Sequence, residues 1–97
     1  MTEKDYIKSY CNERQIEFFN WICDKEMTIL KVHEIANKLI NKDAIIIEND
    51  DKEMIECFYI GCIDLNTNFN RYANMYCKSV NVIINPDSIF VKIQVQN

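Results

Sequence analysis

Val80-Asn81-Val82-Ile83-Ile84-Asn85-Pro86-Asp87-Ser88-Ile89-Phe90-Val91-Lys92-Ile93-Gln94-Val95 is the stretch that decides the fold. Val80, Val82 and Ile84 alternate with Asn81 and Asn85, and Ile89, Val91, Ile93 and Val95 alternate with Lys92, Gln94 and Gln96. A period of two places one apolar row on a single face of each strand. Between the runs, Pro86 occupies a favoured turn position and holds Asn85 extended. Centring the loop on Pro86-Asp87 sets Ile84 against Ile89, Val82 against Val91 and Val80 against Ile93. A slip of one residue would scatter that row over both faces. The spacing therefore predicts an antiparallel hairpin with one buried side.

Working outward, Leu65–Ser79 is rich in Asn and aromatics, and Phe69, Tyr72, Ala73 and Tyr76 recur at helical spacing. A short helix over 68–77 and a loop are both compatible with it. Glu53–Asp64 reads as a longer strand with apolar residues of both parities, as expected for one covered on both faces or sitting centrally. Asn49-Asp50-Asp51-Lys52 is a polar turn, and Ala44–Glu48 before it reads as a buried strand.

Further upstream, Val32, Ile35, Ala36, Leu39 and Ile40 form an apolar stripe at helical spacing, with Thr28 as N-cap and Glu34–Lys38 as a favourable pair on the opposite face. Residues 2–42 hold no Gly and no Pro. One helix runs from about 3 to 24, or it breaks near Asn12, which forms a capping-box pattern with Gln15. Ile16, Phe18, Phe19, Trp21, Ile22 and Cys23 cover over half the circumference of its second part. So wide an arc packs on two sides or shows aromatics to a partner.

These elements predict a single α+β domain over residues 1–97. Its N-terminal helices pack on an antiparallel sheet of about four strands, in the order α-α-β-β-(α)-β-β.

The chain has 97 residues, 11 Lys+Arg against 15 Asp+Glu, and 48 % apolar residues. That apolar share supports a core and argues against wholesale disorder, and the acidic balance argues against a protein that coats nucleic acid. Apolar runs are far shorter than the roughly 20 residues of a membrane span. The first residues lack the basic-then-apolar pattern of a secretory signal. Five cysteines, an odd count, fit reduced and mostly buried thiols in a cytosol better than a disulfide framework. Ile (16), Asn (12) and Lys (9) are abundant while Gly (1), Ala (3), Pro (1) and Arg (2) are scarce. This usage points to an AT-rich genome, such as a low-GC bacterium, a phage, a plasmid or a large DNA virus.

Charge is concentrated. Residues 1–43 carry −1, residues 44–64 carry −5 and residues 65–97 carry +2. Glu48, Asp50, Asp51, Glu53 and Glu56 form the acidic centre, either a solvated turn or an anionic patch aimed at a basic groove. Metal chemistry finds little support. No CxxC occurs, His33 is the one histidine, and Cys57 and Cys62 are five apart, which on a strand points them to opposite faces. No set of residues supplies a nucleophile, a base and its orienting acid. Gly61 is the one glycine, so a Gly-rich phosphate cradle is excluded. Phe69, Arg71, Tyr72, Tyr76 and Lys78 could stack bases with cationic support, or could bury their rings in a short helix.

The sequence thus suggests a small acidic cytosolic (host-cytosolic if viral) binding or inhibitor protein, with no enzymatic role, cofactor or metal. It would occlude a partner protein with a basic, nucleic-acid-binding groove, in the manner of phage or mobile-element anti-defence, immunity or antitoxin proteins. Glu48, Asp50, Asp51, Glu53 and Glu56 would steer, with Phe18, Trp21, Tyr72 and Tyr76 as hot spots. The alternatives are a nucleic-acid-associated regulator using segment 69–78, or a self-associating protein that dimerises through Ile89–Val95 as an exposed edge.

Overall fold

The computed structural model describes residues 12–26, 29–65 and 68–96. Helix α1 (Glu13–Cys23) and the short helix α2 (Val32–Ala36) precede strands β1 (Ala44–Glu48) and β2 (Met54–Tyr59). A 3-10 segment (Ile60–Leu65) and a short helix α3 (Phe69–Ala73) then lead to β3 (Cys77–Ile84) and β4 (Ile89–Val95). The four strands form one sheet in the order β2-β1-β4-β3.

The sheet is mixed. β1–β2 and β3–β4 are antiparallel hairpins, but β1 and β4 run parallel where the two hairpins meet, Ala44 opposite Phe90 and Ile47 opposite Ile93. The all-antiparallel sheet expected from sequence is corrected at that seam. Each hairpin is a local structure, whereas the direction in which two hairpins meet is set by the long connection between them. The β3–β4 register is the one read from sequence, with Ile84 opposite Ile89, Val82 opposite Val91 and Val80 opposite Ile93.

β2 is shorter than expected and lies at an edge. Of its residues only Phe58 is buried; Met54, Ile55 and Tyr59 face solvent. Its apolar residues of both parities reflect one core contact plus an exposed apolar surface, not two covered faces. β4, expected as a possible free edge, is internal.

α1 starts where the capping box placed it. Asn12 Oδ1 accepts from the Gln15 N–H, and Gln15 Oε1 accepts from the Asn12 N–H. Residues 1–11 and Thr28 lie outside the described residues, so a helix beginning near residue 3 and a Thr28 cap do too. Lys31 takes the N-cap position of α2 without a side-chain bond.

The long amphipathic helix expected through Ile40 stops at Ala36. Lys38 and Leu39 N–H close tight bonds to Ile35 and Ala36 carbonyls, and the Ile40 N–H is taken by the Asp43 carboxylate. That bond replaces the next helical one and releases the chain into β1. Leu39 stays buried, but Ile40 turns outward.

The core unites Phe18 and Ile22 of α1 and Val32 and Ile35 of α2 with Ile45, Ile47, Phe58, Ile89, Val91 and Ile93 of the sheet. Full burial of each such side chain contributes about 1.5–3 kcal/mol. No helix among the described residues is long and apolar enough to cross a membrane.

Candidate interaction surface

The β1–β2 turn is built around Asn49. Its side-chain Oδ1 accepts from the N–H groups of both Asp51 and Glu53 at 2.9 Å, an Asx arrangement that fixes the loop. Backbone bonds from Asn49 N–H to Glu53 O and from Lys52 N–H to Asn49 O complete it. Lys52 sits at φ 65°, the left-handed region that costs a non-Gly residue about 1 kcal/mol or more. The result is a defined loop that presents Asp50, Asp51 and Glu53 to solvent.

The five acidic residues singled out from sequence do not act as one patch. Asp50, Asp51 and Glu53 share the turn. Glu48 lies on the face of the sheet away from the core, in a shallow cavity of about 380 Å³ with Lys52, Ser79, Asn81, Lys92 and Gln94. Glu56 pairs with Ile47 and so points to the other side. Asp50 also reaches Lys78 Nζ at 2.9 Å; both ends are exposed, so the pair adds little stability.

Directly after the turn come exposed apolar side chains that the sequence reading did not single out. Met54 is 64 % exposed, Ile55 52 % and Tyr59 52 %. A register shift between Ile47 and Glu48 marks a bulge beside them. The signal was present in the sequence as apolar residues of both parities over 54–59, but only edge placement makes them surface.

The aromatic candidates have other surroundings. Phe18 is buried and packs against Trp21 at 5.9 Å between ring centroids. Trp21 is half-buried, with the ammonium groups of Lys25 and Lys38 each 5.4 Å from its ring, a cation–π arrangement. Tyr72 packs on Phe58 at 5.9 Å, and Phe69 is buried edge-on against the same ring at 5.4 Å. Phe69 belongs to the core, and the half-buried Tyr72 packs against it. Tyr76 remains exposed, with Lys31 5.3 Å from its ring.

Two buried polar residues were also missed. Asp43 is fully buried and accepts four hydrogen bonds. Arg14 grips it with Nη1 to Oδ2 at 2.6 Å and Nη2 to Oδ1 at 3.2 Å, while the Ile40 N–H donates to Oδ2 and the Ile89 N–H to Oδ1. It ties α1, the α2–β1 turn and the start of β4 together. Gln15, beyond its cap, donates from Nε2 to the carbonyls of Asn85 and Ser88. Among the described residues no buried side-chain polar atom lacks a partner, so these groups serve as joints of the fold.

The cysteines depart from the expected burial. Cys77 is buried, and the desolvation, aided by the nearby Glu34 charge, pushes its thiol up to about 11. Cys23, Cys57 and Cys62 are exposed, and Cys11 lies outside the described residues. No three His, Cys, Asp or Glu side chains gather into a metal-holding group among the described residues. His33 lines a second shallow cavity of about 470 Å³ with Asn37, Asn41, Asn70 and Phe69. Compared with known protein families, curated proteins and solved structures, the chain matches none.

Proposed function

We propose that this chain is a protein-binding module that acts by occlusion, using the β1–β2 turn and the β2 edge to cover a basic surface of a partner. One observation carries the reading: three exposed carboxylates on a fixed loop adjoin a run of exposed apolar side chains on a strand edge that no further described residue pairs with. The carboxylates raise the encounter rate with a cationic groove. Met54, Ile55 and Tyr59 then supply the desolvated contact that sets residence time. A groove shaped for phosphate fits this pattern, which is the logic of small acidic inhibitors of the anti-defence, immunity or antitoxin kind. Three exposed thiols suit a reducing cytosol, and the α1 and α2 residues in the core support helices packed on one face of the sheet.

The test is capture from a cell extract on the wild-type chain, followed by kinetics of the captured protein. Its association rate should fall as salt rises from low to physiological strength. In the variant Asp50→Lys/Asp51→Lys/Glu53→Lys that rate should drop about tenfold or more. Ile55→Asp should instead speed dissociation. An unchanged rate and salt slope in the charge-reversed chain would refute the reading.

A further inference from the structure

The two edges of the sheet differ. β2 is broken by its bulge and flanked by Glu53 and Glu56, whereas β3 carries Lys78 as its only charge. The direction of the β3 backbone groups follows from the hairpin. Asn85 N–H donates to Ser88 O at 2.9 Å, so 85 and 88 are a hydrogen-bonded pair. Such pairs alternate along an antiparallel ladder with non-bonded ones. Ile83, Asn81 and Ser79 therefore bond to β4, and Ile84, Val82 and Val80 turn their N–H and C=O groups outward. Described residues cover only the start of this edge. Cys77 N–H donates to Leu30 O, and Lys31 bridges Tyr76. Beyond it, no described residue pairs with the outward groups of Val80, Val82 and Ile84, whose side chains are half-buried.

We propose that a second copy of this chain pairs antiparallel along this edge, Val82 opposite its own counterpart and Val80 opposite Ile84. Outward groups then face outward groups, so each opposed pair exchanges both its hydrogen bonds. A shift by one residue would set outward groups against inward ones. The same alignment places the half-buried Val80, Val82 and Ile84 of both copies on one continuous core face. It also brings Lys78 of each copy, whose exposed ammonium reaches Asp50 of its own chain, beside Pro86 and Asp87 of the other, so that the same ammonium gains a second carboxylate, twice over by the two-fold symmetry. Charge thus selects this edge for self-pairing. β2 pairing with itself would draw the carboxylates of Glu53 and Glu56 from both copies toward one another across a bulge. With β3 joined, the β2 edge stays open at both ends of the eight-stranded sheet.

The experiment is sedimentation equilibrium of the full chain together with amide hydrogen exchange at several concentrations. A dimer is expected, and exchange at Val80, Val82 and Ile84 should slow as concentration rises. Ser79, Asn81 and Ile83, already in the ladder, should not respond. Val82→Pro removes an outward donor, which an edge position tolerates, and should raise the dimer Kd at least about tenfold. Lys78→Asp should weaken the dimer, and adding Asp87→Lys should restore it; this swap keeps the test decisive should Val82→Pro fail to fold. A wild-type chain that is monomeric throughout overturns the proposal. So does a dimer indifferent to both Lys78→Asp and the swap, or concentration-dependent protection appearing in β2 instead. A monomeric wild type, or a dimer indifferent to the swap, leaves the occlusion reading untouched, because that reading rests on the other edge; protection in β2 would count against both.

Discussion

Replacing Asp43 by alanine should be among the most damaging single changes to this fold. The carboxylate is fully buried and holds two backbone N–H groups, those of Ile40 and Ile89, besides the Arg14 fork. Removing it leaves both amides without their side-chain acceptor, at roughly 1–3 kcal/mol each when buried. The Arg14 side chain is 26 % exposed, so part of its lost pairing is regained from water. The total comes to about 4 kcal/mol, within the 3–5 kcal/mol typical of breaking a buried charge pair. Against a stability of about 5–15 kcal/mol for a domain, that is a large fraction. Urea unfolding followed by circular dichroism would measure it as a lowered midpoint at unchanged slope. Asp43→Asn, which keeps one acceptor and the shape, should cost about half as much. In an Arg14→Met background Asp43→Ala should cost about 1–2 kcal/mol less, because the two groups are coupled. A loss below about 1 kcal/mol for Asp43→Ala would refute the claim that this carboxylate joins α1, the α2–β1 turn and β4.

Other outcomes follow from single residues. Lys52→Gly should stabilise the chain by about 0.5–1 kcal/mol in thermal denaturation, since glycine accepts φ 65° without strain; a destabilised variant would contradict the turn geometry. Cys77 has its folded pKa raised, so the stability that comes with its neutral thiol is complete below the ordinary cysteine range. It is lost progressively as pH climbs from about 9 toward about 11. Cys77→Ala, compared with the wild type across that window, should flatten the decline. At pH 8 a thiol reagent should label Cys23 and Cys62 quickly and Cys77 only as fast as the chain opens; fast labelling of Cys77 would show that its pocket is not closed. Gln15→Ala should cost about 1–2 kcal/mol by equilibrium unfolding, through lost bonds to Asn85 and Ser88 and half of the capping box.

The parts legible in the sequence are those governed by neighbours a few residues away. The β3–β4 register followed from alternation on either side of Pro86-Asp87, and the start of α1 followed from the Asn12–Gln15 cap. β1 followed from its short β-branched run, and the acidic turn from Asn49 to Lys52. Each is decided by side-chain periodicity or by a hydrogen bond within a single turn. Residues far apart in sequence decided the rest. The parallel seam between β1 and β4 joins segments more than forty residues apart, and it alone made β2 an edge and exposed Met54, Ile55 and Tyr59. The burial of Asp43 and Gln15 depends on where Arg14, Asn85, Ser88 and Ile89 arrive. The same packing sent Tyr72 onto Phe58 and placed two lysines over Trp21. Local patterns state which side of an element is apolar; only the assembled layers determine which apolar sides find a cover and which are left to meet a partner.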